Sequence, residues 1–222
     1  MIEFIEVSKS YGRVAALRGV SLRIEAGDRV AFVGTNGSGK TTLLRALLGL
    51  VQVGGEVRVG GVSVSRQPAV ALAAMAYVPQ VAPPLDAPVG EVVRACEQLR
   101  RLPPLAVARW SERFGLDLEA LRATRFRDLS GGMKQKLLAA LALAAETPIL
   151  VGDEPTANLD PAARATFFEA LRERPGGSIV VVCSHRVEEV RGLVSRVIEL
   201  RDGSVVRDER LDDAVTSLPR AS

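Results

Sequence analysis

A glycine-rich segment at residues 34–41, G-T-N-G-S-G-K-T, constrains this chain more than any other feature. The apolar run RVAFV at 29–33 precedes it, and a leucine-rich helical pattern at about 39–49 follows it. Glycines between a strand and a helix let the backbone turn so tightly that successive N–H groups point at one anion. The positive end of the helix dipole adds to this attraction. The segment therefore predicts a phosphate cradle of the P-loop type.

The residue types in this loop match the chemistry of nucleotide binding. Lys40 supplies a positive charge for the β- and γ-phosphates, and the Thr41 hydroxyl is a ligand for Mg²⁺. Thr42 is predicted to reach the α-phosphate. The remaining predicted contacts come from Gly34, Asn36, Gly37, Ser38 and Gly39. A chance match is the alternative, but the flanking strand and helix are the context that distinguishes a true P-loop.

A second apolar strand ends in two adjacent carboxylates, in the run I-L-V-G-D-E at 149–154. Carboxylates at the end of a buried strand need a cation or hydrogen bonds to offset their desolvation, and a Mg²⁺ ion over the P-loop is such a cation. Because neighbouring side chains on a strand point in different directions, the two can divide the work. Asp153 is predicted to hold Mg²⁺, through water, and Glu154 to polarise an attacking water molecule. A turn or helix cap before Pro155 is the structural alternative.

Composition narrows the class of protein. The 222 residues are 47% hydrophobic and 25% charged, which is typical of one large globular domain or two small ones. The net charge of +3 is spread along the chain as scattered arginines, so we expect no nucleic-acid partner. The longest apolar runs, such as LLAALALAA at 137–145, are about half the length needed to cross a bilayer. The first residues, MIEFIEVSKSYG, do not resemble a signal peptide.

Strand and helix patterns alternate along most of the chain, which predicts an α/β fold with a mostly parallel sheet. The strand patterns at 2–7 and 20–24 and the hairpin after Gly54 predict a separate N-terminal antiparallel β piece. Only helical patterns occur at about 81–145. We therefore predict a single domain over residues 1–222, with a helical subdomain inserted at about 81–145.

Further motifs accompany the P-loop in a fixed order along the chain. They are Tyr11 in KSYG, Gln80 in YVPQ, the run L-S-G-G-M at 129–133, Asp160 in ANLD and His185 in CSHR. In order and spacing, from Tyr11 to about Gly203, the chain resembles the nucleotide-binding subunits of ATP-binding cassette (ABC) transporters. The resemblance implies a P-loop ATPase core that binds ATP and Mg²⁺ and hydrolyses ATP to drive transport through a separate transmembrane transporter subunit.

The run at 129–133 resembles the signature motif of this family. The resemblance implies that Ser130, Gly131 and Gly132 contact the γ-phosphate of an ATP held by the opposite subunit, and that Asp160 lies at the same interface. The second subunit would be another copy of this chain or a homologous ATPase subunit. A simpler interpretation also remains, because serine is a good N-cap and Ser130 precedes a helical pattern.

The remaining motifs take their roles from the same resemblance. Tyr11 would stack on adenine. Gln80 would contact Mg²⁺ or the attacking water and report the nucleotide state to the helical insert. His185 would reach the γ-phosphate, although a lone histidine is more often a surface or core residue. Glu154, His185 and Gln80 thus form the predicted catalytic set, and Thr41, Gln80 and Asp153 the predicted metal ligands.

Two other classes of protein share part of this pattern. A P-loop kinase or transferase would need neither the LSGG nor the ANLD motif. A cassette ATPase acting on DNA or ribosomes usually carries a coiled-coil insertion or two cassettes. The runs LSGGMKQKL and S-H-R-V-E-E-V resemble bacterial exporter-type and copper-enzyme-maturation cassettes, so we expect an exporter subunit. Its expected location is peripheral, on the cytoplasmic face of the cell membrane.

The proline-rich segment after Gln80, VAPPLDAPVGEVVRA at 81–95, suggests a docking surface. Stiff, proline-containing chain loses little conformational entropy when a partner binds. We predict that Leu85 and Val89 line the groove that receives the transmembrane subunit. The alternative is that both residues pack inside the helical subdomain.

Overall fold

The computed structural model describes residues 1–184 and 192–211. The strands are β1 Ile2–Tyr11, β2 Val14–Ile24, β3 Arg29–Val33, β4 Gly54–Val59, β5 Val62–Ser63, β6 Met75–Val78, β7 Ile149–Asp153, β8 Ile179–Cys183, β9 Arg196–Arg201 and β10 Ser204–Arg210. The helices are α1 Lys40–Leu47, α2 Pro68–Ala73, α3 Val89–Arg100, α4 Ala106–Arg113, α5 Leu118–Leu121, α6 Gly131–Ala144 and α7 Pro161–Glu173, with a 3₁₀ turn at Phe126–Asp128.

The chain divides into two compact units. The first contains Met1–Met75, Pro148–Asp153 and the described residues from Pro175 onward, and the second contains Ala76–Thr147 and Glu154–Arg174. The first unit carries the sheets around the P-loop, and the second carries helices α3 to α7. The predicted α/β fold, with its N-terminal antiparallel piece and its helical insert, is confirmed.

An antiparallel sheet in the order β2-β1-β4-β5 forms one part of the first unit. The central strand β1 pairs on both sides, so Ile2 lies opposite Ile24 on β2 and opposite Val59 on β4. Ile2 and Phe4 are buried, because side chains at every second position share one face of a strand, and Val7 is buried beyond an irregularity in the pairing. This is the antiparallel piece expected from the sequence, with longer strands than the patterns at 2–7 and 20–24 indicated.

The second sheet of the first unit brings the ends of two distant strands to one edge. Strands β9, β3, β8 and β7 lie side by side and parallel, and β10 adds an antiparallel edge to β9. Cys183, the last residue of β8, pairs with Phe32 of β3 on one side and with Asp153 of β7 on the other. The loop after β3 and the carboxylate at the end of β7 therefore leave the sheet at the same level.

Helices of the second unit pack around a cluster of buried apolar residues that includes Val89, Phe126 and Leu137. Val89 is 0% exposed, and Leu85 packs against the same cluster. The prediction that Val89 lines an exposed groove is therefore wrong. The valine begins α3, and its helical position turns the side chain into the core rather than toward a partner.

Other elements differ from the sequence patterns or cannot be compared with them. Helix α2 was not predicted, because its six residues are too few to show a helical period. Residues 185–191 and 212–222 lie outside the described residues, so the patterns there are not compared with the structure. Among the helices that the structure describes, none combines the length and hydrophobicity that crossing a bilayer demands.

Candidate active site

The P-loop joins the end of β3 to the start of α1, and its backbone is tightly packed. Gly34 has a φ of 144°, and a Cβ placed on it would lie 2.3 Å from the carbonyl oxygen of Leu200. Gly39 has a φ of 109°, and its Cβ would lie 2.6 Å from the carbonyl oxygen of Ala16. Both positions exclude larger residues by conformation and by space. The two glycines thus let the loop fold against the sheet that supports it.

Two polar side chains of the loop, those of Ser38 and Lys40, are buried. The Lys40 ammonium donates to the carbonyl oxygens of Gly34 at 2.7 Å and Thr35 at 3.0 Å, and the side chain is buried. The Ser38 hydroxyl is buried without a hydrogen-bond partner. A buried hydroxyl normally has a partner, and phosphate oxygens would provide one. The loop therefore has a concentrated positive charge and an unused hydroxyl, both suited to a polyphosphate.

A hydroxyl and a carboxylate meet beside the loop. Thr41 Oγ1 lies 3.3 Å from Oδ1 of Asp153, and Asp153 is buried, with only 4% of its surface exposed. Mg²⁺ prefers one or two protein oxygen ligands and completes its octahedron with water and substrate phosphates. Within residues 1–184 and 192–211, no group of three His, Cys, Asp or Glu residues could hold a metal ion. This pair fits a magnesium ion that depends on a bound nucleotide.

Glu154 has an unusual backbone conformation. Its φ is 47°, in the left-handed region that residues other than glycine seldom adopt. Such residues cost about 1–3 kcal/mol and often occur at functional sites. The side chain is half-buried. The strained position directly follows the last residue of β7.

The signature-like segment begins helix α6 in the second unit. Ser130 Oγ accepts a hydrogen bond from the Met133 N–H at 3.2 Å, so the serine is an N-cap, as the simpler interpretation held. Its hydroxyl proton remains available to donate to another group. Gly131 is exposed, and a Cβ on it would meet nothing within 4 Å, whereas a Cβ on Gly132 would lie 3.2 Å from the Asn158 carbonyl oxygen. The exposed helix start is suited to binding an anion.

Asp160 begins helix α7 and also joins an ion pair that was not predicted. One carboxylate oxygen accepts from the Ala163 N–H at 2.8 Å, and the other lies 2.6 Å from the Lys136 ammonium. The Ala163 N–H and then Lys136 lower the pKa of Asp160. The pair links α6 to the loop before α7. No sequence pattern identified Lys136, because its partner is far along the chain.

The remaining predicted site residues are placed as follows. Tyr11 ends β1 and is 46% exposed, with the Lys9 ammonium 5.2 Å from the centre of its ring. Asn36 and Gly37 are exposed in the P-loop, and Thr42 is half-buried in α1. Gln80 is exposed after β6. His185 lies outside the described residues.

A second residue that the sequence did not single out is Gln135 of α6. It is only 1% exposed, and its side-chain amide donates to the carbonyl oxygen of Pro79, just before Gln80, and to that of Pro155, just after Glu154. In the sequence this glutamine stands between Lys134 and Lys136 and shows no sign of being buried.

The fold and the phosphate cradle define an α/β nucleotide-binding ATPase. Residues 17–157 match the family described as ABC transporter. The chain belongs to this family, and it is an ATP-binding, ATP-hydrolysing subunit of a membrane transporter. The resemblance noted in the sequence is thereby confirmed.

Relatives of known sequence agree with this assignment. The Nod factor export ATP-binding protein I of Paraburkholderia xenovorans is 34% identical over 220 residues, which cover 93% of this chain and 70% of that protein. A putative ABC transporter ATP-binding protein of Halobacterium salinarum is 36% identical over 219 residues, which cover 95% of this chain and 94% of that one.

Solved structures share the fold. The ATP-binding cassette MJ0796, described as dimeric and in a post-hydrolysis state with ADP and Pi, superposes with a TM-score of 0.82 at 27% identity. The match covers 96% of this chain and 99% of that one. A structure described as the ATP-binding subunit of an ABC transporter has a TM-score of 0.86 at 24% identity and covers 96% and 91% of the two chains, which supports the fold.

Proposed function

We propose that this subunit hydrolyses MgATP at a site between two ATPase subunits and thereby powers export through a transmembrane partner. The observation that carries the proposal is the 3.3 Å distance between Thr41 Oγ1 and Asp153 Oδ1, because a hydroxyl and a carboxylate beside the P-loop are the ligands that a nucleotide-bound Mg²⁺ would need. ATP binding follows from the family. The roles of individual residues, the metal and the direction of transport belong to the proposal.

The catalytic step relies on positioning and charge, as is typical of phosphoryl transfer. Lys40 and the P-loop N–H groups bind the β- and γ-phosphates, while Thr41, Gln80 and Asp153 would hold Mg²⁺. The ion would neutralise charge that develops on the phosphate oxygens. Glu154 orients and polarises the attacking water, and Gln80 and His185 contact the water or the γ-phosphate. Tyr11 stacks on the adenine.

The second half of the site is proposed to come from a partner subunit. The Ser130 hydroxyl, which keeps a proton to donate, and the N–H groups of Gly131 and Gly132 at the start of α6 would bind the γ-phosphate of the partner's ATP. Asp160 would contribute to the same interface, and its ion pair with Lys136 of α6 supports this. The dimeric state named for the related cassette MJ0796 supports a two-subunit arrangement.

Transport and its direction are inferred from the relatives. Two of them are named as Nod factor export proteins, at 34% and 32% identity, and this supports an exporter. The ATPase would bind a separate transmembrane subunit on the cytoplasmic face of the membrane. The cargo of this chain is not assigned.

Assembly of the site provides the test. The Glu154→Gln variant should bind MgATP without hydrolysing it, so we expect it to form a dimer during size-exclusion chromatography with Mg²⁺ and ATP. Without nucleotide it should run as a monomer, and Lys40→Ala should stay monomeric in both conditions. A Glu154→Gln protein that remains monomeric with MgATP, both alone and within its transporter, would contradict the proposal.

Mixing two inactive variants tests the shared site by activity. Ser130→Arg and Lys40→Ala subunits each lack one half of every site. A mixed dimer regains one complete site, so an equal mixture should recover about one quarter of wild-type ATPase activity if sites act independently. A mixture as inactive as its components, together with dimers of normal size, would indicate that the two sites must act together.

A further inference from the structure

Gln135 makes two hydrogen bonds that join distant segments of the second unit. Its amide nitrogen donates to the Pro79 carbonyl oxygen at 3.2 Å and to the Pro155 carbonyl oxygen at 3.0 Å. Carbonyl oxygens only accept, so the amide must present its NH₂ group to both. The two protons of one nitrogen therefore serve two loops. The residue itself is 1% exposed and belongs to helix α6.

The two accepting carbonyls stand directly beside the predicted catalytic residues. Pro79 precedes Gln80, and Pro155 follows Glu154. Proline has no N–H with which to anchor its own backbone, so the carbonyl is the remaining polar group at each position. A buried side-chain donor is the means by which the structure holds both.

We infer that Gln135 is a positioning residue for hydrolysis, which fixes the backbone before Gln80 relative to the backbone after Glu154. The inference rests on the proposed function, because it needs both residues to act on the attacking water. The proposed function assigns nucleotide binding to the P-loop, and Gln135 has no part in that binding. Loss of the two hydrogen bonds should therefore reduce kcat and leave ATP affinity almost unchanged.

A purely structural role predicts a different result. If Gln135 only satisfies two buried carbonyls, its removal lowers stability, and any loss of activity follows the loss of folded protein. A positioning role separates kcat from both stability and binding, because a displacement of about 1 Å at reacting groups can reduce the rate roughly a hundred-fold.

The experiment compares Gln135→Met with Leu137→Ala in the full chain. Methionine keeps the length and volume of glutamine but has no N–H donor. Leu137 lies two residues further along α6 in the apolar core, so its truncation disturbs packing without removing a hydrogen bond. The Tm of each protein is measured first. We then measure kcat and KM for MgATP and the Kd for ATP at a temperature well below the unfolding transitions of both variants.

We expect kcat of Gln135→Met to fall about ten-fold or more, with Kd within about two-fold of wild type. Leu137→Ala should keep kcat within about two-fold of wild type, although its Tm should fall at least as far as that of Gln135→Met. Equal losses of kcat in the two variants, or an unchanged kcat in Gln135→Met, would overturn the positioning role. A wild-type chain without ATPase activity would instead contradict the proposed function itself.

A second variant keeps the test decisive if Gln135→Met does not fold. Gln135→Asn retains the amide but withdraws it by about 1.5 Å, one carbon–carbon bond. We expect a folded protein in which kcat is reduced and Kd is unchanged. Wild-type kcat in a folded Gln135→Asn protein would overturn the inference.

Discussion

Thr41 Oγ1 lies 3.3 Å from Asp153 Oδ1, although 112 residues separate the two in the chain. The contact exists because β8 lies between β3 and β7 and pairs with both, so the loop after β3 and the end of β7 emerge at the same edge. Ligands of open α/β sheets bind at the carboxyl ends of the strands. The proposed magnesium site is thus a consequence of strand order.

Asp153→Asn should weaken the use of magnesium rather than nucleotide binding. The amide keeps the shape of the carboxylate but not its charge, and loss of such an outer ligand typically reduces metal affinity roughly ten- to a hundred-fold. We expect the Mg²⁺ concentration for half-maximal ATPase activity to rise by this factor. ATP binding measured in EDTA should stay unchanged. An unaltered Mg²⁺ dependence would contradict the assignment of Asp153.

Glu154→Gln should abolish turnover while ATP still binds. The amide cannot polarise water, and loss of a general base typically reduces the rate about 10²–10⁴-fold. Steady-state kcat and the Kd for ATP are the measurements. Glu146→Gln is the control, because Glu146 also has a positive φ, of 44°, but is exposed and outside the predicted catalytic set. Near-normal activity of Glu154→Gln would remove Glu154 from the mechanism.

Gly131→Asp should separate folding from assembly. A Cβ at this exposed position meets nothing within 4 Å, and a carboxylate in the first turn of a helix stabilises it by about 0.3–1 kcal/mol. The Tm should therefore not fall. Repulsion of the partner's phosphate, worth several kcal/mol, should lower ATPase activity and MgATP-dependent dimerisation more than about ten-fold.

Gly176→Asp is the control for that substitution. Gly176 also has open space around its Cβ and has no predicted contact with nucleotide. Its aspartate should leave activity and dimerisation unchanged. If both aspartates reduce activity equally, the charge acts generally and the signature-like segment has no special role.

The ion pair between Lys136 and Asp160 should make the free energy of unfolding depend on pH. The Ala163 N–H and Lys136 lower the folded-state pKa of Asp160 below the ordinary value of 3.8. The contribution is therefore complete above about pH 4 and is lost as the pH falls through the lowered pKa. Asp160→Asn should be less stable than wild type at pH 7, and the difference should shrink toward pH 2 in urea unfolding.

Lys136→Met identifies the partner in the same experiment. It should also be less stable than wild type at pH 7, by no more than Asp160→Asn because the Ala163 hydrogen bond remains, and it should converge with wild type at low pH. The double variant should lose less than the sum of the two single variants, because both remove one interaction. Full additivity would show that the pair makes no energetic contribution.

Two valines at the ends of one short segment should differ in their effect on stability. Val89 is 0% exposed and Val81 is 78% exposed. Burying a whole valine side chain contributes about 1.5–3 kcal/mol, and Val89→Ala should lower the free energy of unfolding by no more than this amount. Val81→Ala should change it by less than about 0.5 kcal/mol. Urea unfolding of both variants measures the difference, and equal effects would contradict the burial of Val89.

The sequence predicted those features of the fold that depend on a few neighbouring residues, such as turns, helix caps and the type of each element. The glycines at 34 and 39 adopt positive φ because the turn from β3 into α1 requires it, and the spacing of the loop already implied that turn. Likewise, Ser130 and Asp160 cap helices α6 and α7, as their residue types favour. Strand and helix periods also predicted the α/β class, because each period reflects which face of an element is buried.

The contacts between distant residues were decided by the tertiary structure. No local pattern in the sequence indicated that Val89 is buried in the core, that Lys136 pairs with Asp160, or that Gln135 donates to two proline carbonyl oxygens. Each depends on which elements become neighbours, and that follows from strand order and helix packing over the whole chain. The sequence by itself determined the chemistry available at each position, whereas only the fold decided which groups are buried, paired and placed together.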